Sequence, residues 1–132
     1  LLEAHNVDLE VYLDNFNEDS FSWELTESFI NYLFTHQLQI NECVKSAQKV
    51  FNSLIREVWK RGFSENELSN IYFEPCGIEF LGRKEYSNSM FDFYYDIHFN
   101  PIDSSNTYTD LGVIDWLASF IDNQLIGVKR DI

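Results

Sequence analysis

The chain has 132 residues with 22 Asp/Glu against nine Lys/Arg, a formal charge of −13. Such an acidic balance argues against direct binding to nucleic acid or anionic membranes, which need Lys and Arg to neutralise phosphate, and it suits a basic protein partner. Hydrophobic content of 45% and aromatic content of 17% argue against disorder and predict a single domain, residues 1–132, with an aromatic-rich core.

Val7, Leu9, Val11 and Leu13 alternate with Asp8, Glu10, Tyr12 and Asp14, the period of a half-buried strand with an acidic outer face. Asn15–Asp19 is turn material. From Ser22 the spacing changes: Trp23, Thr26, Phe29/Ile30 and Leu33/Phe34 recur at three and four, predicting a helix to about Gln37 with Ser22 as N-cap. A second helix is expected from an Asn41 cap, with the apolar stripe Val44, Ala47, Val50/Phe51, Leu54/Ile55 and Val58, closed by Gly62. Lys45, Lys49, Arg56 and Lys60 fall on its outer side. Ser64-Glu65-Asn66-Glu67 is a capping-box pattern that starts one short turn.

Beyond it the pattern turns to strands. Ile71–Glu74 and Ile78–Leu81 are short candidates separated by Pro75-Cys76-Gly77, and Arg83–Ser89 is polar and turn-like. Phe91, Phe93, Tyr95, Ile97 and Phe99 alternate with Asp92, Tyr94, Asp96 and His98, a regular strand with one apolar face. Asn100-Pro101 is expected to end it, and residues 102–110 read as a polar loop. Residues 113–130 fit two readings. A helix capped by Asp110 would be apolar almost all round, which is awkward in a small domain. A hairpin turning at Asp122-Asn123, with Ile114, Trp116, Ala118 and Phe120 on one face, fits better. The expected architecture is α+β, two main helices packed on one face of a mostly antiparallel sheet.

The charges are unevenly placed. Residues 1–44 hold nine acids and residues 85–128 seven, and neither stretch holds a Lys or Arg. If the two acidic strands were neighbours, their polar sides would form one continuous negative surface. Cys43 and Cys76 are isolated and read as reduced, and no Asn-x-Ser/Thr acceptor occurs. No apolar run reaches the roughly 18–20 residues needed to cross a bilayer, and no signal-peptide pattern is visible. A cytoplasmic protein is the expectation.

Few residues suggest chemistry. His98 and Asp96 share one strand face, a pairing that suits a metal or an acid–base site, but a polar strand face explains them equally simply. Asp103–Asp110 looks superficially calcium-like yet has neither the sixth-position glycine nor the twelfth-position acid of an EF-hand. GxSxG, GxGxxG and GxxxxGK[ST] are all missing. The expectation is a protein without catalytic, cofactor or metal residues.

Two segments carry a resemblance: Phe91-Asp-Phe-Tyr-Tyr-Asp-Ile-His-Phe99, and the tail Asp110-Leu-Gly-Val113 with Phe120-Ile-Asp-Asn-Gln-Leu-Ile-Gly-Val128. With the size, acidity and α+β pattern, the chain resembles the small acidic immunity proteins that bacteria encode beside polymorphic or contact-dependent growth inhibition toxins. The resemblance implies stoichiometric inhibition of a cognate toxin, often a basic nuclease. Exposed Tyr beside carboxylates is a good surface for Lys and Arg. The expected contacts are Glu10, Asp14, Glu18 and Asp19 on one acidic edge and Asp92, Tyr94 and Asp96 on another. The alternatives are an acidic nucleic-acid mimic that inhibits a DNA- or RNA-binding protein, and a small enzyme or metal protein centred on His98.

Overall fold

The alternation from Asp92 to Phe99 becomes part of the middle strand of a five-stranded sheet. The computed structural model describes residues 10–12, 23–58, 62–84, 92–104 and 115–131. In chain order the elements are β1 (Glu10–Tyr12), α1 (Trp23–Thr35), α2 (Gln37–Val58), α3 (Glu65–Ser69), β2 (Ile71–Lys84), β3 (Asp92–Asp103), β4 (Asp115–Ile121) and β5 (Gln124–Asp131). The sheet runs β1-β2-β3-β4-β5; β2 to β5 form an antiparallel meander, and β1 adds to β2 in parallel. The fold is α+β, with the two long helices on one face of the sheet.

Interlocking rings fix that packing. Phe29 of α1 stacks on Phe80 at 4.3 Å between ring centres and leans on Phe93 and Tyr95. Phe51 of α2 meets Phe73, Phe99 and Trp116 at 5.1 to 5.5 Å, in tilted and edge-on geometries that suit the ring quadrupoles. Between them Leu33, Val44, Ala47, Ile55, Ile78, Ile97 and Phe120 are buried. A side-chain hydrogen bond adds to the helix–sheet contact: Gln48 Nε2 donates to the Phe73 carbonyl at 2.8 Å.

Two expectations hold in atomic detail. The capping box forms: Glu67 N–H donates to Ser64 Oγ at 3.2 Å and Ser64 N–H donates to Glu67 Oε1 at 2.9 Å. The C-terminal element is the hairpin. Asp122, at φ 51°, and Asn123 make its two-residue turn, and Trp116, Ala118 and Phe120 face the core.

Others are corrected. The two short candidates at 71–81 are one strand of 14 residues, because register shifts at Pro75/Gly77 and Phe80/Gly82 absorb the proline and the irregular spacing. Gly82 has φ 101°, where a side chain would be strained. Lys84 is therefore strand rather than turn, while residues 85–91 lie outside the described set. Asn41 caps nothing. α2 starts at Gln37 and follows α1 after the single residue His36, whose N–H donates to the Tyr32 carbonyl at 3.0 Å while its own carbonyl accepts from Ile40 N–H at 2.9 Å. Ser22, proposed as the cap of α1, lies outside the described residues. Within α1 the sheet takes Leu25, Thr26, Phe29 and Leu33, leaving Trp23, Ile30 and Phe34 outside the core. The acidic strands are not neighbours either: β1 and β3 flank β2 on opposite sides.

Candidate partner-binding surface

The sheet face opposite the helices was expected to be open and acidic. Ladder register lines up Tyr12, Glu79, Asp96 and Ser119 across β1 to β4, and His98 beside Leu117 in the adjoining row. Asp96 is only 6% exposed, and its Oδ1 accepts from Ser119 Oγ at 2.5 Å. His98 Nε2 donates to Glu79 Oε1 at 3.3 Å, with both side chains largely buried. Leu117 and Ile121, also outside the aromatic core, are buried as well. This face is therefore partly covered rather than freely solvated.

That geometry changes the reading of two singled-out residues. Asp96 and His98 share a face as their spacing requires, but each turns to a different partner. The Ser119 hydroxyl donates to the Asp96 carboxylate, and His98 meets Glu79. Among the described residues no group of three or more His, Cys, Asp or Glu could hold a metal ion. Asp96, expected at a partner-binding edge, is buried. Tyr94 is partly buried and lies in register with Gly82 and Ile121. Glu10 falls in β1, in register with Gly77, and Asp92 opens β3, in register with Lys84; the side chains of both lie outside the described set. Asp14, Glu18 and Asp19 also lie outside the described residues.

Sequence reasoning placed Trp23, Ile30 and Phe34 in the core stripe of α1. Here they form a second, outward stripe: Trp23 is 76% exposed, Phe34 57% and Ile30 36%. Leu38, in the first turn of α2, is 80% exposed. Glu24, Glu27 and Glu42 are also exposed. The signal was present, because α1 carries apolar residues on two faces; only the packing shows which face the sheet takes.

Beside Leu38 a cleft of about 270 Å³ opens between α2 and the β4–β5 turn, with Cys43, Phe120 and Leu125 among its walls. The Cys43 thiol donates to the Asn123 carbonyl at 3.2 Å. Burial, and secondarily the Glu42 carboxylate, push this thiol up to about 11, so it is protonated and unreactive at neutral pH.

Of the described cations Lys45 borders the acidic surface, and Arg56 and Arg130 have partners elsewhere. Lys45 pairs with Glu42 at 3.4 Å, Arg56 with Glu65 at 2.8 Å, and Arg130 sits over the Trp116 ring at 5.8 Å. Among the described residues no helix is long and apolar enough to cross a membrane. Comparison with protein-family models, with curated proteins and with solved structures finds no match to this chain.

Proposed function

We propose that the chain is a bacterial immunity protein of the cytoplasm that binds and neutralises a cognate toxin, a basic nuclease, by stoichiometric protein–protein inhibition. The observation that carries this reading is the charge separation. From Trp23 to Val44 the helical surface holds Glu24, Glu27 and Glu42 and no base, within a chain of charge −13. A nuclease needs a positive surface to hold its polyanion. An acidic inhibitor competes for the same Lys and Arg, and opposite fields raise association rates to roughly 10⁸–10⁹ M⁻¹s⁻¹ at low salt. Large apolar groups beside those carboxylates supply the desolvated contact that charge alone does not.

The reading is tested by co-expressing the chain with the products of the genes that flank its own, then measuring binding and nuclease activity of any pair that purifies together. The expected result is a one-to-one complex without nuclease activity, whose association rate falls at least about tenfold between low and physiological salt. Full nuclease activity at a molar excess of the chain would rule the reading out.

A further inference from the structure

The outward stripe of α1 sets an energetic problem. Single exposed apolar side chains are ordinary, but an aligned set on one surface marks an interaction site. On a helix turning about 100° per residue, Trp23, Ile30 and Phe34 fall within about 40° of one another. The sheet-facing stripe of Leu25, Phe29 and Leu33 points elsewhere. His36 separates the two helices, its N–H closing the last turn of α1 and its carbonyl opening the first turn of α2, and the exposed Leu38 lies four residues beyond Phe34. Leu38 also rims the cleft beside Glu42, Phe120 and Leu125.

We infer that this stripe, Trp23–Ile30–Phe34–Leu38 with the adjoining cleft, is a docking surface for a basic amphipathic helix of the partner protein. The helix lays apolar side chains along the stripe, seats one in the cleft and directs Lys or Arg to Glu24, Glu27 and Glu42. The inference rests on the proposed inhibitory function and names the surface that performs it.

Charge selects this occupant over two others. A second copy of the chain would bring an identical carboxylate-rimmed stripe against the first, and two bodies of charge −13 repel. An anionic membrane meets the same repulsion from Glu24, Glu27 and Glu42. A basic amphipathic helix satisfies both the apolar ridge and its acidic rim. Lys45 pairs with Glu42 at 3.4 Å with both side chains exposed to water, so an incoming Arg can displace it readily.

The experiment uses two probes: a candidate toxin encoded by a gene that flanks that of the chain, and a synthetic Leu/Lys amphipathic helix of roughly 18 residues, long enough to be helical. Binding is followed by calorimetry and by tryptophan fluorescence, with a Trp23→Phe control to isolate the signal of Trp23, and thermal melting of each variant checks the fold. Phe34→Glu and Leu38→Glu are expected to weaken both probes about tenfold or more with unchanged melting temperature. Glu27→Lys is expected to weaken them at low salt only. Equal affinity of wild type and variants for both probes overturns the inference. A wild-type dimer dissolved by Phe34→Glu also overturns it, by assigning the stripe to self-association. So does a marked fall in melting temperature in both Phe34→Glu and Leu38→Glu, which assigns the stripe to contacts within the chain. If the toxin binds wild type and variants alike, the inhibitory function stands and this surface is wrong. If the toxin ignores wild type while the peptide distinguishes the variants, the surface stands and the toxin reading fails.

Discussion

The Tyr95 hydroxyl donates to the backbone carbonyl of Asp122, tying the middle strand of the sheet to the tip of the last hairpin. The same tip is held twice more by β3, through Asp122 N–H to the Phe93 carbonyl at 2.8 Å and Phe93 N–H to Asp122 Oδ1 at 2.9 Å. Removing the hydroxyl takes a partner from a carbonyl in a partly buried turn. Tyr95→Phe is expected to destabilise the fold by about 1–3 kcal/mol, read as a lower urea midpoint with an unchanged slope.

Alkaline stability follows from the same region. Burial first, and neighbouring anions second, raise Cys43 from 9.0 to about 11 and hold the Tyr32 and Tyr95 phenols above their ordinary range. The unfolded chain therefore releases these protons at lower pH than the folded one does. Their stabilisation is fully present below about pH 9 and is lost as pH rises through the folded values. The urea midpoint should fall steadily from pH 9 to 11, and less steeply in Tyr95→Phe. A flat profile over that interval contradicts the assignment.

Phe51 is fully buried and touches Phe73, Phe99 and Trp116. Phe51→Ala empties the point where α2 meets the sheet and should cost about 3–5 kcal/mol. Chemical denaturation measures it directly; a loss under about 1 kcal/mol would mean the ring cluster does not anchor the helix.

Asn41 lies inside α2, and its side-chain Oδ1 is buried without a hydrogen-bond partner among the described residues. Asn41→Leu removes that unsatisfied acceptor and improves helix propensity. A gain of about 1 kcal/mol is expected, seen as a higher melting temperature.

Ser119→Ala and Asp96→Asn separate structure from recognition on the far face of the sheet. Ser119→Ala deprives a buried carboxylate of its donor and should lose about 1.5–3 kcal/mol. Partner affinity should stay unchanged in both variants once folding is allowed for. An inhibitory contact at Asp96 would instead show as lost affinity in a protein of normal stability.

Much of this architecture is legible from local pattern. The period of two up to Phe99, the capping box at Ser64–Glu67 and the turn dipeptide Asp122-Asn123 each encode their conformation within a few residues, so the short helix and the hairpin form where expected, while the strand runs through Asn100-Pro101 to Asp103, beyond its expected end. Local pattern fails where a second element decides. The sequence allows either apolar stripe of α1 to be buried, and only the ring of Phe80, against which Phe29 stacks, selects the stripe that leaves Trp23 and Phe34 outside.

The acidic field reads the same way. Composition and spacing by themselves determine that the chain carries a large negative charge, that its first 44 residues hold no base, and that helices and strands follow in this order. They do not determine which carboxylates face outward, because a strand's polar side is solvated only if nothing covers it. The tertiary structure buries Asp96 against Ser119 and exposes Trp23, Phe34 and Leu38 beside Glu24, Glu27 and Glu42. Burial belongs to contacts between distant segments, and the period of a single segment does not contain it.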